Sequence, residues 1–483
     1  MSEQQGNHPE GQNDELPNAF STDDSPKNEM RGRFTRLLKS LKPGQILTMG
    51  FLAVVILGAL LLTLPVATID RETLGFVDAL FTATSAVCVT GLTVVNTGVT
   101  FSVFGQVVII VLIQIGGLGF MTIASLVFMA IGRRISLRER LVIQESFNAD
   151  SLQGLVRLVR NAILVTVIIE GIGCVIFTLR FVPVYGLGKG VFYAMFMAVS
   201  AFCNAGFDPF GFANSIEPFA ADPVINLTVM LLITLGGMGF SVILDVVRQR
   251  RFRRLMLHSR IVLVMTGILF LSGWLLTLLL EWNNPATLGK FPPAVRVMAG
   301  AFQSVTLRTA GFDTIGQGGL TPAGQMISII HMFIGASPAS TGGGIKTTTF
   351  FVVFLSVAAM VRRKTDYNVY HRRLNEQLIR RALAIFTLAL TLVLFDTVVI
   401  SAVESLAGNE DTLADVLYET VSAFATVGLT TGITPSLSTV SKLLISLTMF
   451  LGRVGPLTVS MALSGGPGKP DAIRYPEERM MVG

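Results

Sequence analysis

Apolar segments long enough to cross a lipid bilayer recur along this chain and constrain its fold more than any other feature. A helix needs about 20 apolar residues to cross roughly 30 Å of hydrocarbon. The mean hydropathy is +0.65 and only 14% of the residues are charged, against about 25% in soluble domains. The sequence therefore predicts an all-α polytopic membrane protein and excludes a soluble enzyme. We expect eight spans, at 46–66, 104–131, 162–182, 224–247, 261–281, 322–361, 383–403 and 437–461.

The basic residues are gathered in three short loops rather than on one folded surface. The formal net charge is +6, and arginines cluster in 133–160, 248–260 and 362–381. Loops rich in Lys and Arg stay on the cytoplasmic side of a membrane. We therefore expect these loops and both termini to be cytoplasmic, and the connections poor in Lys and Arg to face outward. Nucleic-acid binding is not indicated, because it would need the basic side chains on a folded domain.

Both ends of the chain are predicted to lie outside the hydrocarbon core. Residues 1–30 are acidic and polar, which is typical of a disordered cytoplasmic tail. Residues 31–43 alternate apolar and basic side chains at helical spacing, so we expect an amphipathic helix on the membrane lipid surface. The first apolar run begins near Ile46, too late for a cleavable signal peptide. A cytoplasmic C-terminal tail is expected over 466–483.

A module of helix, re-entrant loop and helix recurs four times. Each outward connection contains an apolar stretch of about 12 to 15 residues, too short to span and therefore expected to enter the membrane and return. Four motifs align on one glycine each, and a second glycine cluster follows each of them: IGGLGF, LGGMGF, STGGGIK and LGRVGP. The first motifs are SAVCVTGLTVVNTG, SAFCNAGFDPFG, VTLRTAGFDTIG and SAFATVGLTTG. The sequence thus predicts four pore repeats, at 44–132, 133–258, 259–362 and 363–465.

The four glycine loops can line one path for an ion. Irregular backbone is tolerated at membrane depth where it lines a water-filled path or is buried in protein. Four loops around a pseudo-fourfold axis would let backbone carbonyls replace the hydration shell of a cation, as in a selectivity filter. The alternative is that the glycines only allow close helix packing. The predicted filter residues are Val89, Thr90, Gly91, Asn204, Ala205, Gly206, Thr309, Ala310, Gly311, Thr426, Val427 and Gly428.

These motifs, with ASPASTGGGIKTTT and the terminal RYPEER, resemble those of the Trk/Ktr/HKT superfamily of potassium transporters. Within it, the chain is similar to the KtrB-like membrane subunits of bacterial Ktr systems, over roughly residues 43 to 483. The resemblance implies a potassium-translocating pore in the bacterial cytoplasmic (inner) membrane, a homodimer, and a cytoplasmic nucleotide-binding regulatory ring (KtrA-like). Potassium is then the substrate and no cofactor is bound; dependence on sodium stays open. No loop reads TVGYG, which implies fewer well-formed ion sites than in a tetrameric potassium channel.

The span at 322–361 is too long to be one membrane helix. Its 40 residues would extend about 60 Å, twice the hydrocarbon thickness. Pro338 and three consecutive glycines predict a break, and an intramembrane gating loop at 335–346 would then lie beneath the filters. Arg453 replaces a glycine of the second cluster, where it would act as an electrostatic plug or donate to loop carbonyls near Gly342. The predicted gate residues are Pro338, Ser340, Thr341, Gly342, Gly343, Gly344, Lys346 and Arg453.

Two acidic residues, Glu170 and Asp396, fall near the middle of predicted spans, where a charge is expensive. We expect a structural ion pair with Lys346, Arg453 or Arg308; proton or sodium coupling is the alternative. A membrane enzyme that uses Ser337 of GASPAS as a nucleophile would need a positioned base. His331 lies in the same half-helix, and the other three histidines lie in a tail or in loops, so we expect a transporter rather than an enzyme.

Overall fold

The computed structural model describes residues 42–119, 122, 123, 125, 137–146, 155–212, 215–363, 366–455, 458 and 459. The chain divides into two units, 1–42 and 43–483. The predicted tail at 1–30, nearly all of the surface helix at 31–43, and the C-terminal tail at 466–483 lie outside the described residues.

Four repeats of three helices make up the second unit, and in each the helices are named first, pore and second in chain order. Repeat one has Pro43–Thr63, Phe76–Cys88 and Val103–Leu118; repeat two has Leu155–Tyr185, Leu187–Phe202 and Pro223–Met238; repeat three has Leu257–Glu281, Pro293–Thr306 and Pro322–Phe333; repeat four has Glu376–Ala407, Leu413–Ala425 and Thr439–Val454. Further α-helices are Thr97–Thr100, Leu137–Ser146, Phe240–Gln249 and Thr347–Val361, and the antiparallel strands Asn368–Val369 and Arg372–Arg373 form a short hairpin. Single 3-10 turns occupy Pro65–Ala67, Glu217–Phe219, Phe252–Arg254, Leu288–Lys290, Gln317–Gly319 and Thr434–Ser436.

The first helices have the length and the surface of membrane spans. They contain 21, 31, 25 and 32 residues and are apolar enough to cross a bilayer. Large apolar side chains cover their outer faces: Leu179 is 71% exposed and Leu279 is 76% exposed. Such exposure is expected where the surrounding solvent is lipid. The predicted all-α polytopic architecture of four repeats is confirmed.

The second helices are shorter than predicted. We expected continuous spans at 104–131, 224–247 and 437–461, with an interruption only in the span at 322–361. That expectation is wrong: the helices end at Leu118, Met238 and Val454. The next residues, Gly119, Gly239 and Gly455, have φ of 81°, 94° and 95°, a conformation that ends a helix and that glycine adopts without strain.

The third repeat is interrupted over a longer stretch, and the second repeat bends sharply. In repeat three the second helix ends at Phe333 and the chain becomes helical again only at Thr347, so the interruption coincides with the predicted loop at 335–346. In repeat two the chain turns by 97° and continues as Phe240–Gln249. The pore helices contain 13, 16, 14 and 13 residues, too few to span, as expected of re-entrant elements.

In repeats one, two and four the second glycine cluster brings the second helix against the pore helix of its own repeat. A Cβ added at Gly116, Gly236 or Gly452 would collide with the carbonyl oxygen of Val87, Phe202 or Phe424, respectively, at the end of a pore helix. The second helix of each repeat also contacts the pore helix of the next, and that of repeat four contacts the pore helix of repeat one. This cyclic packing closes the four repeats around one axis.

A side-chain cap begins every second helix. The cap residues Ser102, Asp222, Thr321 and Ser438 each accept hydrogen bonds from backbone amides of the first turn. In repeats three and four the cap is also bonded to a carboxylate at the C-terminal end of the first helix. Thr321 donates its backbone amide and its hydroxyl to Glu281, and Ser438 does the same to Glu404.

We predict that Glu281→Leu destabilises the protein strongly. The carboxylate is fully buried and accepts from Thr321 at 2.7 Å, from Thr287 at 2.8 Å and from Asn284 at 2.6 Å. Its loss leaves several buried donors without an acceptor, which costs about 2 to 5 kcal/mol. Thermal unfolding of the purified protein in detergent measures the change. The control is Glu376→Leu at the exposed start of another first helix, where the carboxylate pairs with exposed Arg380 and where we expect less than about 1 kcal/mol. Equal shifts would contradict the prediction.

Candidate ion pathway

The four loops that follow the pore helices share one backbone conformation. The first residue of each predicted filter triplet has positive φ: 56° at Val89, 59° at Asn204, 68° at Thr309 and 53° at Thr426. The glycine two residues later also has positive φ, between 70° and 95° in the four copies. Side chains with a Cβ are strained there, so the repeated conformation is held by its surroundings.

Each pore helix supplies one hydroxyl that fixes its own loop. Ser85 and Ser422 accept from the amides of Gly91 and Gly428, at 3.0 Å and 3.1 Å. In repeats two and three, Ser200 and Thr306 donate instead to the carbonyls of Phe207 and Phe312, both at 2.6 Å. Our sequence reasoning missed these four residues. In the sequence they could have been recognised as the serine or threonine that stands near the start of each aligned motif.

The four glycines form a closed ring. A Cβ added at Gly91 would lie 2.6 Å from the carbonyl oxygen of Ala205, one at Gly206 2.9 Å from that of Ala310, and one at Gly311 2.5 Å from that of Val427. A Cβ added at Gly428 would collide with the carbonyl oxygen of Thr90, which returns the ring to repeat one. Each glycine therefore faces the middle residue of the next triplet. All twelve predicted filter residues belong to this ring or adjoin it in sequence.

A cavity of about 480 Å³ lies on the ring and is lined by all four glycines. Residues that follow the predicted filter triplets in sequence also line it, including Asp208 and Asp313. These two aspartates occupy equivalent positions in repeats two and three. Burial raises the pKa of the Asp208 carboxyl to about 6. Burial, with the nearby negative charge of Glu217, raises the pKa of the Asp313 carboxyl to about 7.

The loop at 334–346 lies directly against the other side of the ring. A Cβ added at Gly342 would collide with the hydroxyl of Thr309, and one at Gly343 with the hydroxyl of Thr426. The amide of Gly343 donates to that same Thr426 hydroxyl at 3.0 Å. The loop is thus in contact with the first residue of two of the predicted filter triplets.

Backbone hydrogen bonds fasten the loop to the bend of repeat two. Ser337 donates its amide to the carbonyl of Gly237 at 3.0 Å, and Thr341 donates to that of Gly236 at 3.2 Å. The amide of Phe240, just after the bend, donates to the carbonyl of Ala339 at 2.9 Å. Inside the loop, Ser340 donates its hydroxyl to the carbonyl of Ser337 at 2.6 Å. Pro338 lies beside Gly239, where an added Cβ would be 2.5 Å from its carbonyl oxygen.

Two basic side chains donate to backbone carbonyls around the loop. Arg453 donates through Nη1 to the carbonyl of Thr341 and through Nη2 to those of Gly116 and Gly117, the last at 3.1 Å. Lys346 donates through Nζ to the carbonyl of Gly342 at 2.7 Å. Arg453 therefore links repeats one and four to the loop of repeat three.

The predicted ion pairs of Glu170 and Asp396 are wrong. Glu170 accepts from Gln114 at 3.3 Å, and the Cys203 thiol lies 3.8 Å from its other oxygen. Asp396 accepts from the Thr448 hydroxyl at 2.6 Å. The basic partners proposed from sequence lie elsewhere: Lys346 and Arg453 donate to carbonyls, and Arg308 lines an apolar cavity of about 310 Å³. The partners of both carboxylates are thus neutral side-chain donors rather than basic side chains.

The serine and the histidine that the enzyme alternative would need are not hydrogen-bonded to each other. His331 pairs its Nε2 with the Ser272 hydroxyl at 3.1 Å, whereas Ser337 is bonded to the Thr347 hydroxyl at 3.1 Å. Within the described part of the chain, no group of three or more His, Cys, Asp or Glu residues is placed to hold a metal ion. Cys88 and Cys203 are buried, Cys174 is partly buried, and all three thiols are free.

Comparison with known families decides the assignment. The family described as TrkH, Cation transport protein, matches residues 38–465. The chain belongs to the TrkH family of cation transport proteins. A crystal structure of the potassium transporter TrkH from Vibrio parahaemolyticus superposes with a TM-score of 0.66 over 86% of this chain and 85% of that one, at 18% identity. This TrkH structure therefore shares the fold, and the family is one of ion transporters rather than enzymes.

Curated relatives are similar over almost their whole lengths. Ktr system potassium uptake protein B of Bacillus subtilis (strain 168) is 41% identical over 91% of this chain and 97% of the relative. The protein of the same name from Vibrio alginolyticus is 39% identical over 91% and 94%, respectively. Potassium/sodium uptake protein NtpJ of Enterococcus hirae is 38% identical over 93% and 99%. This TrkH-family chain thus aligns with more than nine tenths of the length of each of these three relatives.

We predict that serine at Gly91, Gly206, Gly311 or Gly428 weakens discrimination among alkali cations. The added Cβ pushes the next carbonyl of the ring out of place, and a filter carbonyl displaced by this contact should cost about tenfold in selectivity, or 1.4 kcal/mol. Competition between alkali ions for uptake into cells or vesicles measures it. The matched control is Gly408→Ser, which has the same backbone strain, with φ of 84°, but no atom within 4 Å. Unchanged selectivity in all four variants would make these glycines packing residues.

Proposed function

We propose that this chain is the potassium-translocating membrane subunit of a bacterial potassium uptake system. The observation that carries the proposal is the ring in which each filter glycine faces a carbonyl of the next repeat. Such a ring presents backbone oxygens from four sides, and oxygens of this kind can replace the water around a dehydrated alkali cation. The names of the similar relatives, two potassium uptake proteins and one potassium/sodium uptake protein, support potassium as the substrate.

The ring also supports limited rather than high selectivity. Each triplet contains one glycine with positive φ. The loops therefore offer fewer successive layers of carbonyl oxygens for an ion than a longer filter with two glycines would. Sodium is therefore a second ion to test, both as a competing substrate and as a requirement for flux.

The loop at 334–346 is the gate in this proposal. It lies on the side of the ring opposite to the cavity of about 480 Å³. Backbone hydrogen bonds to Gly236, Gly237 and Phe240 hold it there. Its glycines allow contact with Thr309 and Thr426 that any side chain would prevent. Opening therefore requires these backbone bonds to break or to move together with the loop.

Arg453 acts in this proposal as a hydrogen-bonding clamp of the closed gate. Its guanidinium donates to carbonyls of two different elements at once, an arrangement that suits the forked geometry of arginine. Its charge is solvated by peptide dipoles rather than left free in the path. The geometry therefore favours the clamp over the purely electrostatic plug.

A cytoplasmic regulator and a second copy of the chain complete the proposal. The resemblance to Ktr membrane subunits and the name "Ktr system" of the similar relatives support a nucleotide-binding ring that docks on the arginine-rich loops, and a homodimer in the inner membrane with cytoplasmic termini. Those arginines also serve as topology signals, so docking must be tested directly.

The function is tested in a bacterium that lacks its own potassium uptake. We expect the chain, expressed with its cytoplasmic partner, to restore growth at low external potassium, and the purified chain in vesicles to pass potassium down its gradient. Growth that stays deficient, together with vesicles impermeable to potassium and sodium, would refute cation translocation. Co-purification of a soluble nucleotide-binding protein checks the partner, and cross-linking in membranes checks the dimer.

We predict that Arg453→Gln and Arg453→Lys both increase potassium flux through vesicles. Glutamine is shorter than arginine and loses the charge and the forked donors. Lysine keeps the charge, but one ammonium cannot reach both sets of carbonyls. A several-fold increase corresponds to about 1 kcal/mol of lost clamp energy. The control is Lys442→Gln on the same helix, whose ammonium pairs with Asp78 at 2.9 Å and which should leave flux unchanged. A parental rate for the lysine variant alone would favour the plug, and unchanged or lower flux in both would refute either role.

We predict that deletions within residues 338–344 increase flux and weaken its dependence on the cytoplasmic regulator, while selectivity is kept. The obstruction is removed, whereas the glycine ring stays in place. Flux into vesicles with and without the regulator, combined with competition between potassium and sodium, measures both effects. A variant that inserts normally and conducts no better than the parent would show that the loop is not the barrier.

A further inference from the structure

The bend of repeat two joins the gating loop to an exposed segment at 246–256, which we call the interfacial segment. Helix Phe240–Gln249 turns by 97° from the preceding membrane helix, so if that helix crosses the bilayer, this one lies close to the membrane plane. Its buried face includes Val242 and Asp245, which are 0% and 5% exposed. Asp245 accepts from the amide of Met256 at 2.9 Å and so folds the segment back onto the helix.

The interfacial segment combines exposed apolar and basic side chains. Val247 is 64% exposed, Phe252 47% and Met256 59%. The arginines are all exposed as well, and in the part of the chain that is described none of them has an ion-pair partner; they are Arg248, Arg250, Arg251, Arg253 and Arg254. Apolar side chains beside unpaired arginines fit the boundary between acyl chains and anionic headgroups. A wholly aqueous position would leave the apolar surface in water.

The same segment is mechanically connected to the gate. Phe240, at the start of the helix, donates its amide to the carbonyl of Ala339 in the gating loop at 2.9 Å. Ala339 has a positive φ of 54°, a conformation that alanine adopts only under constraint. Movement of the helix away from the membrane plane would therefore release the bond that holds Ala339 in place.

We infer that the interfacial segment binds anionic phospholipid headgroups and that this binding stabilises the closed position of the gating loop. The inference rests on the proposed gate and extends it to a lipid ligand. One arginine near an anionic surface contributes about a factor of five to binding. Two such residues therefore bias the helix toward the membrane plane by up to about 25-fold, and the Phe240–Ala339 bond transmits the bias to the loop.

Amide hydrogen exchange in nanodiscs tests the inference without relying on transport. We expect the amides of Ser337, Thr341 and Phe240 to exchange more slowly in discs that contain phosphatidylglycerol than in pure phosphatidylcholine. The variant Arg251→Gln/Arg254→Gln should remove the difference and should retain less phosphatidylglycerol in native mass spectrometry. With no cytoplasmic protein present in the discs, the control Arg157→Gln/Arg160→Gln, which has the same spacing and two exposed arginines on the helix Leu155–Tyr185, should behave like the parent. Identical exchange in both lipids, or identical effects of the two double variants, would overturn the inference.

Flux measurements separate this inference from the proposed function. In vesicles with phosphatidylglycerol, the Arg251→Gln/Arg254→Gln variant should conduct several-fold faster than the parent, and in neutral vesicles the two should be equal. If no variant conducts in any vesicle, the proposed cation transport fails while the exchange result still decides the lipid effect. An effect of the two arginines seen only when a cytoplasmic protein is present would identify a protein dock and refute the lipid.

A variant at the bend tests the mechanical link. Gly239→Ala places a Cβ 2.5 Å from the carbonyl oxygen of Pro338, at a φ of 94°, and should raise flux and abolish its dependence on phosphatidylglycerol. Gly119→Ala is the matched control: it imposes similar strain at a φ of 81° with nothing within 4 Å. Equal behaviour of the two variants would show that strain alone, rather than contact with the loop, produced the effect.

Discussion

Every peptide group placed at membrane depth without helical hydrogen bonds must find another partner, and the whole structure is organised around this requirement. Four loops leave their pore helices inside the membrane, and each would carry unsatisfied amides and carbonyls in hydrocarbon. Pore-helix hydroxyls such as Ser85 and Ser200 satisfy part of that need. Surrounding the loops with second helices excludes lipid from the rest. In the proposed filter, the carbonyls of the ring would have a cation as their partner.

The same requirement explains where the gating loop is attached. Helices that end inside the membrane expose the carbonyls of their last turn. In repeat two the carbonyls of Gly236 and Gly237 are satisfied by amides of the gating loop, so the loop takes the place that a continued helix would have filled. A glycine at position 239 makes this possible, because the bend removes the next turn and leaves room for Pro338.

The sequence was sufficient to identify the repeats and the residues that form the ring. A backbone position with positive φ favours glycine, and because this position recurs four times, a glycine marks it in each repeat. It was also sufficient for the interruption in repeat three, because Pro338 and three glycines are local signals. It was not sufficient for the ends of the other second helices: the apolar runs continue past Gly119 and Gly239, so hydropathy cannot show that the helix has stopped. Nor did it identify the partners of Glu170 and Asp396, because neutral donors such as Gln114 and Thr448 satisfy a carboxylate and carry no charge that a search for opposite signs would find.

Departure from fourfold symmetry is what creates the proposed gate. In repeats one and two the third residue of the second cluster is Gly117 or Gly237, and in repeat four it is Arg453. The guanidinium donates to the carbonyls of Gly116 and Gly117 at the end of the second helix of repeat one, where the helix dipole favours positive charge. It holds Thr341 of the loop with its other nitrogen. A partly buried arginine that has no carboxylate partner among the described residues is thus stable here because helix ends supply the negative potential. The carbonyls freed by the early end of one repeat are the anchor for the residue that fixes the loop of another, so the short second helices and the gate are consequences of a single arrangement.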